Sequence, residues 1–321
     1  MTDLISLFNF LTIGLVIAAT SMGVAIGGSI AAVATTESIN IQPRARTGIL
    51  KASIVGMALT ETAAIIGFVV GILLLTNTQS LVSSGNIYYA IANLGIIFAI
   101  CIAGFATGYA SSYPVRYTCL AIARQPFFAN QIFNVMLLTL SFIQTPIIFG
   151  FIISLLINFQ AAQAINLTDS LRLVASGLCV GLGAVGPTIG LALFSKEACY
   201  SLGVNRHSYS NIITFVFLSE ALIETPIVFG LVTSLLLLTR SYPNSMLYSI
   251  VVILAALCTG ISNITPGISS GKIAATACKQ ISYNQSAYPL VSKASMLAQG
   301  MIDSFTIYGW IISLMLILFV K

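Results

Sequence analysis

The chain has 321 residues, 58% of them hydrophobic and 7% charged, with a mean hydropathy of +1.02 and a formal net charge of +5. A soluble globular domain carries about 25% charged residues, so this chain cannot cover itself with polar surface and lipid is its main solvent. The basic residues do not cluster on a soluble face, so no nucleic-acid partner is expected.

In lipid every backbone N–H and C=O must be satisfied internally, which leaves helices or closed barrels. Barrel strands are about 10 residues of alternating polarity. The apolar runs here, such as 132–159 and 212–238, are longer and do not alternate. Each can cross a hydrocarbon core of about 30 Å as a helix.

The start, Met1-Thr2-Asp3, lacks the basic region of a signal peptide, so no cleavage is expected. In chain order the pattern predicts helices over 5–36, 48–77, 87–121, 129–158, 170–202, 210–239, 246–281 and 287–320. Turn and polar residues mark the breaks: Asn40 to Pro43, Ser83 to Asn86, Arg124 to Pro126, Asn166 to Asp169, Val204 to His207, Tyr242 to Ser245 and Ser282 to Gln285. Ten of the thirteen basic residues flank the odd-numbered breaks, and Arg172, Arg240 and Lys321 lie at the other ends. The positive-inside rule then puts the odd loops in the cytoplasm and both termini outside.

Four segments align without gaps: Glu61 to Gly67, Gln144 to Gly150, Glu224 to Gly230 and Asp303 to Gly309. Gln42-Pro43 and Gln125-Pro126 lie 19 residues before Glu61 and Gln144, and Cys119, Cys199 and Cys278 each lie 25 residues before their repeat's first position. Each repeat is therefore one hairpin of helix, loop and helix, with expected boundaries 1–80, 81–162, 163–242 and 243–321. An even number of crossings separates the copies, so all four point the same way. The six cysteines lack metal-ligand spacing and read as small packing residues.

The first helix of each hairpin carries small residues on a repeating face, as in Gly23/Gly27, Gly104/Gly108, Gly177/Gly181 and Gly267/Gly271. Such spacing lets backbones approach where no hydrophobic effect operates between helices. The pattern predicts an inner layer of small-faced helices and a bulkier outer layer.

Of the eight acidic residues, Asp3, Glu37, Asp169 and Glu197 lie near helix ends, while Glu61, Glu220, Glu224 and Asp303 lie well inside even-numbered helices. A charge at that depth costs at least about 2.5–3.5 kcal/mol, which makes an intramembrane carboxylate a functional candidate. Desolvation disfavours the charged form, so such a carboxyl rests protonated and yields its proton where water or a cation reaches it. The bland alternative, a carboxyl hydrogen-bonded between helices, is weakened by recurrence at one place in three of four repeats. A hydroxyl follows each repeat's first residue (Thr62, Thr145, Thr225 and Ser304). It can serve the site or bond back to a carbonyl one turn earlier. Pro146 and Pro226 free a backbone carbonyl and are expected to kink their helices.

With these features the chain resembles the c subunit of the F-type ATP synthase, the proteolipid of the rotor ring. The resemblance rests on the small-residue first helix, the loop Ala123-Arg124-Gln125-Pro126, and the carboxylate 19 residues past the loop glutamine. It implies an all-α membrane protein forming part of a two-layered c-ring, with no catalysis of its own. Glu61, Glu224 and Asp303 match the family's ion-binding carboxylate. The implied cargo is protons, with no cofactor. The implied partners are further copies of the chain in a ring, the a subunit of the stator, central-stalk subunits and lipid, in a bacterial cell membrane. The stalk-facing loops would use Gln42, Pro43, Arg44, Arg124, Gln125 and Pro126, and less closely Asn205 and Arg206.

Departures matter too. Fused hairpins resemble V-type proteolipids, and Gln144 is an amide that cannot carry a proton. Three sites per four hairpins follow. Four hairpins per chain favour a trimer of about 12 hairpins and about 9 carriers. Sodium-binding members of the family place a glutamine on the first helix, a hydroxyl after the carboxylate and a tyrosine five residues past it. Tyr308 fits the last, but the glutamine position reads Gly28, Ser111, Leu191 and Ser270, which favours protons. Glu220 lies one turn before Glu224 and is expected as its hydrogen-bond partner, with a second site as the alternative. A V-type or hybrid proteolipid shares this chemistry. A secondary transporter would show inverted repeats and broken helices, for which the sequence gives no sign.

Overall fold

The computed structural model describes residues 2–84 and 86–319. Gly85 and Lys321, and the side chain of Asp3, lie outside the described residues. Among the described residues there are eight helices long and apolar enough to cross a membrane: α1 (Ile5–Ile41), α2 (Pro43–Thr78), α3 (Ile87–Arg124), α4 (Pro126–Ala161), α5 (Leu167–Val204), α6 (Arg206–Thr239), α7 (Met246–Tyr283) and α8 (Gln285–Leu318). At 1.5 Å per residue each is about 50–57 Å long, more than a bilayer core requires. They form four tandem hairpins, α1–α2, α3–α4, α5–α6 and α7–α8.

The helices run further toward the odd loops than the polar residues suggest. Glu37 to Ile41 continue α1 past its expected end at 36. The Thr35 hydroxyl lies 2.8 Å from the Ala31 carbonyl and 2.6 Å from Ser53 Oγ of α2, so its polarity is satisfied inside the hairpin. What remains of each loop is one non-helical residue followed by a single 3₁₀ turn. That residue is Gln42, Gln125, Asn205 or Asn284, with φ of −138°, −128°, −142° and −137°. Asn205 and Asn284 thus stand where the first two loops have glutamine, each also 19 residues before its repeat's key position. In the first two loops proline opens the 3₁₀ turn. In the last two the asparagine side chain accepts from His207 N (3.0 Å) or Ser286 N (3.2 Å) instead.

The hairpins stack in chain order in two layers: α1, α3, α5 and α7 meet successively in one, and α2, α4, α6 and α8 in the other. Inner-layer backbones touch. A Cβ on Gly27 would land on the Gly108 carbonyl, one on Gly177 on the Gly95 carbonyl, and one on Gly190 on the Gly267 carbonyl. Only glycine allows this approach, as the small-residue pattern requires. α3 contains a π-helical segment over Phe98–Ile102, and a Cβ on Gly181 of α5 would meet its Phe98 carbonyl. All six cysteines are free thiols, and Cys119, Cys199 and Cys278 are buried. Large apolar side chains such as Ile65, Phe68, Ile148, Val228 and Phe305 are exposed on the outer helices, as expected of a lipid-facing surface.

Candidate functional site

The first positions of the four repeats lie at one depth in the outer layer. Glu61 is 18 residues past the start of α2, about 27 Å from its loop end and near the helix middle. Gln144, Glu224 and Asp303 lie at the same 18-residue offset in α4, α6 and α8.

Gln144 has the fullest set of partners. Its Nε2 donates to Ser111 Oγ on α3 at 3.0 Å and to the Leu59 carbonyl of α2 at 3.1 Å. Its Oε1 accepts from the Thr62 hydroxyl of α2 at 2.7 Å. The residue is therefore held by its own hairpin and the one before it. Thr62 Oγ1 also lies 2.7 Å from the Leu59 carbonyl, and its single proton serves one acceptor at a time.

Glu224 repeats part of this arrangement one hairpin on. The Thr145 side chain of α4 lies beside it, and Glu224 Oε1 is buried without a hydrogen-bond partner. The first-helix position 33 residues earlier is Leu191, which is buried and offers no oxygen. In hairpin 4, Ser270 Oγ donates to Asp303 Oδ1 at 3.3 Å, so the 33-residue offset again joins inner and outer helix. Asp303 is 6% exposed. Glu61 is exposed at the free edge of the stack, where the chain supplies no earlier hairpin.

The hydroxyls divide by position. Thr62 and Thr145 face the next hairpin's key residue, whereas Thr225 bonds the Ala221 carbonyl (3.2 Å) and Ser304 the Met301 carbonyl (2.6 Å). Tyr308 is not brought to Asp303. It is 62% exposed and meets Phe305 edge-on, with ring centroids 6.2 Å apart. Glu220 departs from its expected role: it is fully buried near Glu224 and Cys199, yet both carboxyl oxygens lack a hydrogen-bond partner. One-turn spacing places the two acids on one face without aiming their carboxyls at each other.

Arg44, Arg124 and Arg206 are exposed at the loop ends, with Arg124 lying 4.5 Å from the Tyr200 ring centroid. Gln42 and Gln125 are half-buried, Pro43 is exposed and Pro126 half-buried. Asn205 Nδ2 donates to the Ser282 carbonyl of the next hairpin at 3.1 Å. Phe127, in the second loop, is fully exposed.

One residue near the site was missed by sequence reasoning. Asn263, buried in α7, donates from Nδ2 to the Pro226 carbonyl of α6 at 2.6 Å, half a turn past Glu224. A buried asparagine within an apolar, small-residue helix is the signal that pointed to it.

The family described as the C subunit of ATP synthase matches the chain four times, over residues 11–74, 94–157, 174–237 and 253–316. Relatives named as the c subunit of ATP synthase align with single stretches of it. That of Chloroflexus aurantiacus is 36% identical over 69 residues, 22% of this chain and 91% of the relative. That of Dehalococcoides mccartyi is 37% identical over 70 residues, 22% and 92% of the two chains. That of Prochlorococcus marinus is 34% identical over 73 residues, 23% and 90%.

Proposed function

Because the chain belongs to the family of ATP synthase C subunits, we propose that it is a rotor-ring proteolipid whose Glu61, Glu224 and Asp303 carry protons as the ring turns. The carrying observation is that these three carboxyls and Gln144 occupy one depth on four parallel hairpins. An acid at that depth is neutral in lipid and ionises where the stator's a subunit opens a wet path, so rotation moves it between two aqueous routes. ATP chemistry belongs to other subunits.

The two edges of the stack support ring closure by further copies. One edge leaves Glu61 exposed. The other exposes Leu297, Met301, Phe305 and Tyr308 around the Ser304 hydroxyl, which occupies the place of Thr62 and Thr145. The inner layer packs backbone on backbone at its glycines while the outer helices carry bulky side chains, and repeated wedges of this kind close on themselves. The number of chains favoured is three. The basic loops face the cytoplasm and a central stalk, with Arg44, Arg124 and Arg206 at the contact and both termini on the opposite side. Protons are favoured over sodium because Leu191 and Gly28 give no oxygen toward Glu224 and Glu61.

The test is the triple variant Glu61→Gln, Glu224→Gln, Asp303→Asn in the complete enzyme. Rings are expected to assemble while ATP-coupled proton movement disappears. Undiminished movement overturns the reading.

A further inference from the structure

The inner layer is apolar over most of its length, but its free face turns basic at one depth. Arg116 on α3 and Lys196 on α5 are repeat equivalents, each 28 residues before its repeat's key position and eight before its helix end. Eight residues are about 12 Å. A hydrocarbon core of about 30 Å, centred on key positions about 27 Å from the loop ends, stops at this level. The two cations therefore stand at the loop-side headgroup boundary, where a bilayer has its phosphates. They also converge: Lys196 Nζ lies 5.1 Å and Arg116 Cζ 5.7 Å from the centroid of the Tyr117 ring. Among the described residues Arg116 has no carboxylate partner, and Lys196 Nζ meets Glu197 Oε1 at 3.5 Å. Beside Lys196 a recess of about 380 Å³ adds Lys272 and Lys279 of α7 to its lining. Four cations thus stand against one carboxylate, and the surplus attracts an anion.

Deeper in the membrane the same helix faces line an apolar groove of about 570 Å³. It takes in Phe105, Tyr109 and Tyr113 of α3 with Ile189 and Leu193 of α5. From Tyr113 to Arg116 and from Leu193 to Lys196 is three residues, which keeps each cation on the groove's own helix face. From Tyr113 down to Cys101 is 12 residues, about 18 Å, close to the depth of one leaflet. The described lining comes from α1, α3 and α5, so the groove opens on the inner face. It lies away from the key carboxyls and from both edges of the stack, and Phe105, Tyr109 and Ile189 are exposed in it. On α1 the place of Arg116 is taken by Val33, so hairpin 1 offers no matching cation.

We propose that this groove holds an anionic phospholipid, with one acyl chain along Phe105 and Tyr109 and the phosphate between Arg116 and Lys196. Arg116 offers paired N–H donors to the phosphate oxygens, and Lys196 a point charge. A zwitterionic lipid has the same acyl chains but brings a cationic group to a basic site, so headgroup charge decides the choice. The site is complete within one chain and takes no part in proton transfer, so it can fail while proton carriage by the carboxyls holds, and the reverse.

For the test, the full chain is synthesised cell-free into vesicles of equal parts phosphatidylglycerol and phosphatidylcholine, so that the assembly forms around the lipid supplied. It is then extracted in detergent, and the lipid retained per chain is counted by native mass spectrometry. About one phosphatidylglycerol per chain is expected, at least about tenfold over phosphatidylcholine. Arg116→Gln with Lys196→Gln removes the preference. Lys51→Gln with Lys293→Gln, at the same distance from the loop end on the outer helices, keeps it. Comparing the two lipids in the unaltered chain needs no variant to fold. Equal retention there, or a preference that survives Arg116→Gln with Lys196→Gln, overturns the proposal. So does a preference lost with Lys51→Gln and Lys293→Gln, which would put the lipid on the outer surface.

Discussion

The Thr62 hydroxyl lies 2.7 Å from Oε1 of Gln144, joining the outer helix of one hairpin to the key position of the next. This bond crosses between repeats, and Thr145 is placed beside Glu224 one hairpin on. Thr62→Val leaves the Gln144 carbonyl oxygen short of its donor, at a cost of about 1 kcal/mol. The chain should unfold at lower denaturant or temperature, while Thr62→Ser keeps the hydroxyl and the stability. Equal midpoints for Thr62→Val and the unaltered chain would show that the bond contributes nothing.

Gln144 stands where the other repeats have acids, among one donor and two acceptors suited to an amide. In a trimer, Gln144→Glu raises the carriers from about 9 to about 12 per ring, with about a third more protons moved per ATP. The ratio can be read from the phosphorylation potential that balances a known proton-motive force. A glutamate here would meet the Leu59 carbonyl that now accepts from Gln144 Nε2. It therefore suits this pocket best when protonated, and some loss of assembly yield is expected.

Gly27→Ala should prevent assembly, because its Cβ would fall on the Gly108 carbonyl of α3, whereas Gly28→Ala, with nothing within 4 Å, should be neutral. Separating two packed backbones costs about 1–3 kcal/mol or more. Yield of the intact oligomer on a native gel distinguishes the pair, and equal yields would contradict the close inner layer.

Sodium is expected to leave Glu61, Glu224 and Asp303 open to carbodiimide modification at neutral pH. The neighbouring oxygens are too few: Glu224 has Thr145, and Asp303 has Ser270 at 3.3 Å. Strong protection by sodium, followed by mass spectrometry of the modified peptides, would reverse the choice of ion.

Much of this architecture was readable from spacing alone. Gap-free alignment of the four segments located the hairpins, and the first-helix position implied by the family resemblance is where Ser111 meets Gln144 and Ser270 meets Asp303. Spacing along one chain cannot show how neighbouring hairpins are rotated against each other. The reach of Thr62 to Gln144 and the bond from Asn263 to Pro226 were therefore invisible, and Glu220 was expected to pair with an acid its carboxyl does not meet. The first helix is expected to end at 36 rather than at Ile41 because Glu37 and the polar residues after it look like a loop.

The three short connections between hairpins are peptide, so the order acid, amide, acid, acid is written into the gene and cannot be shuffled during assembly. A motor built from such chains would advance unevenly. Each circuit would contain regularly spaced strokes in which the membrane field does no work, and the load would have to be carried across them by elastic energy stored elsewhere in the machine.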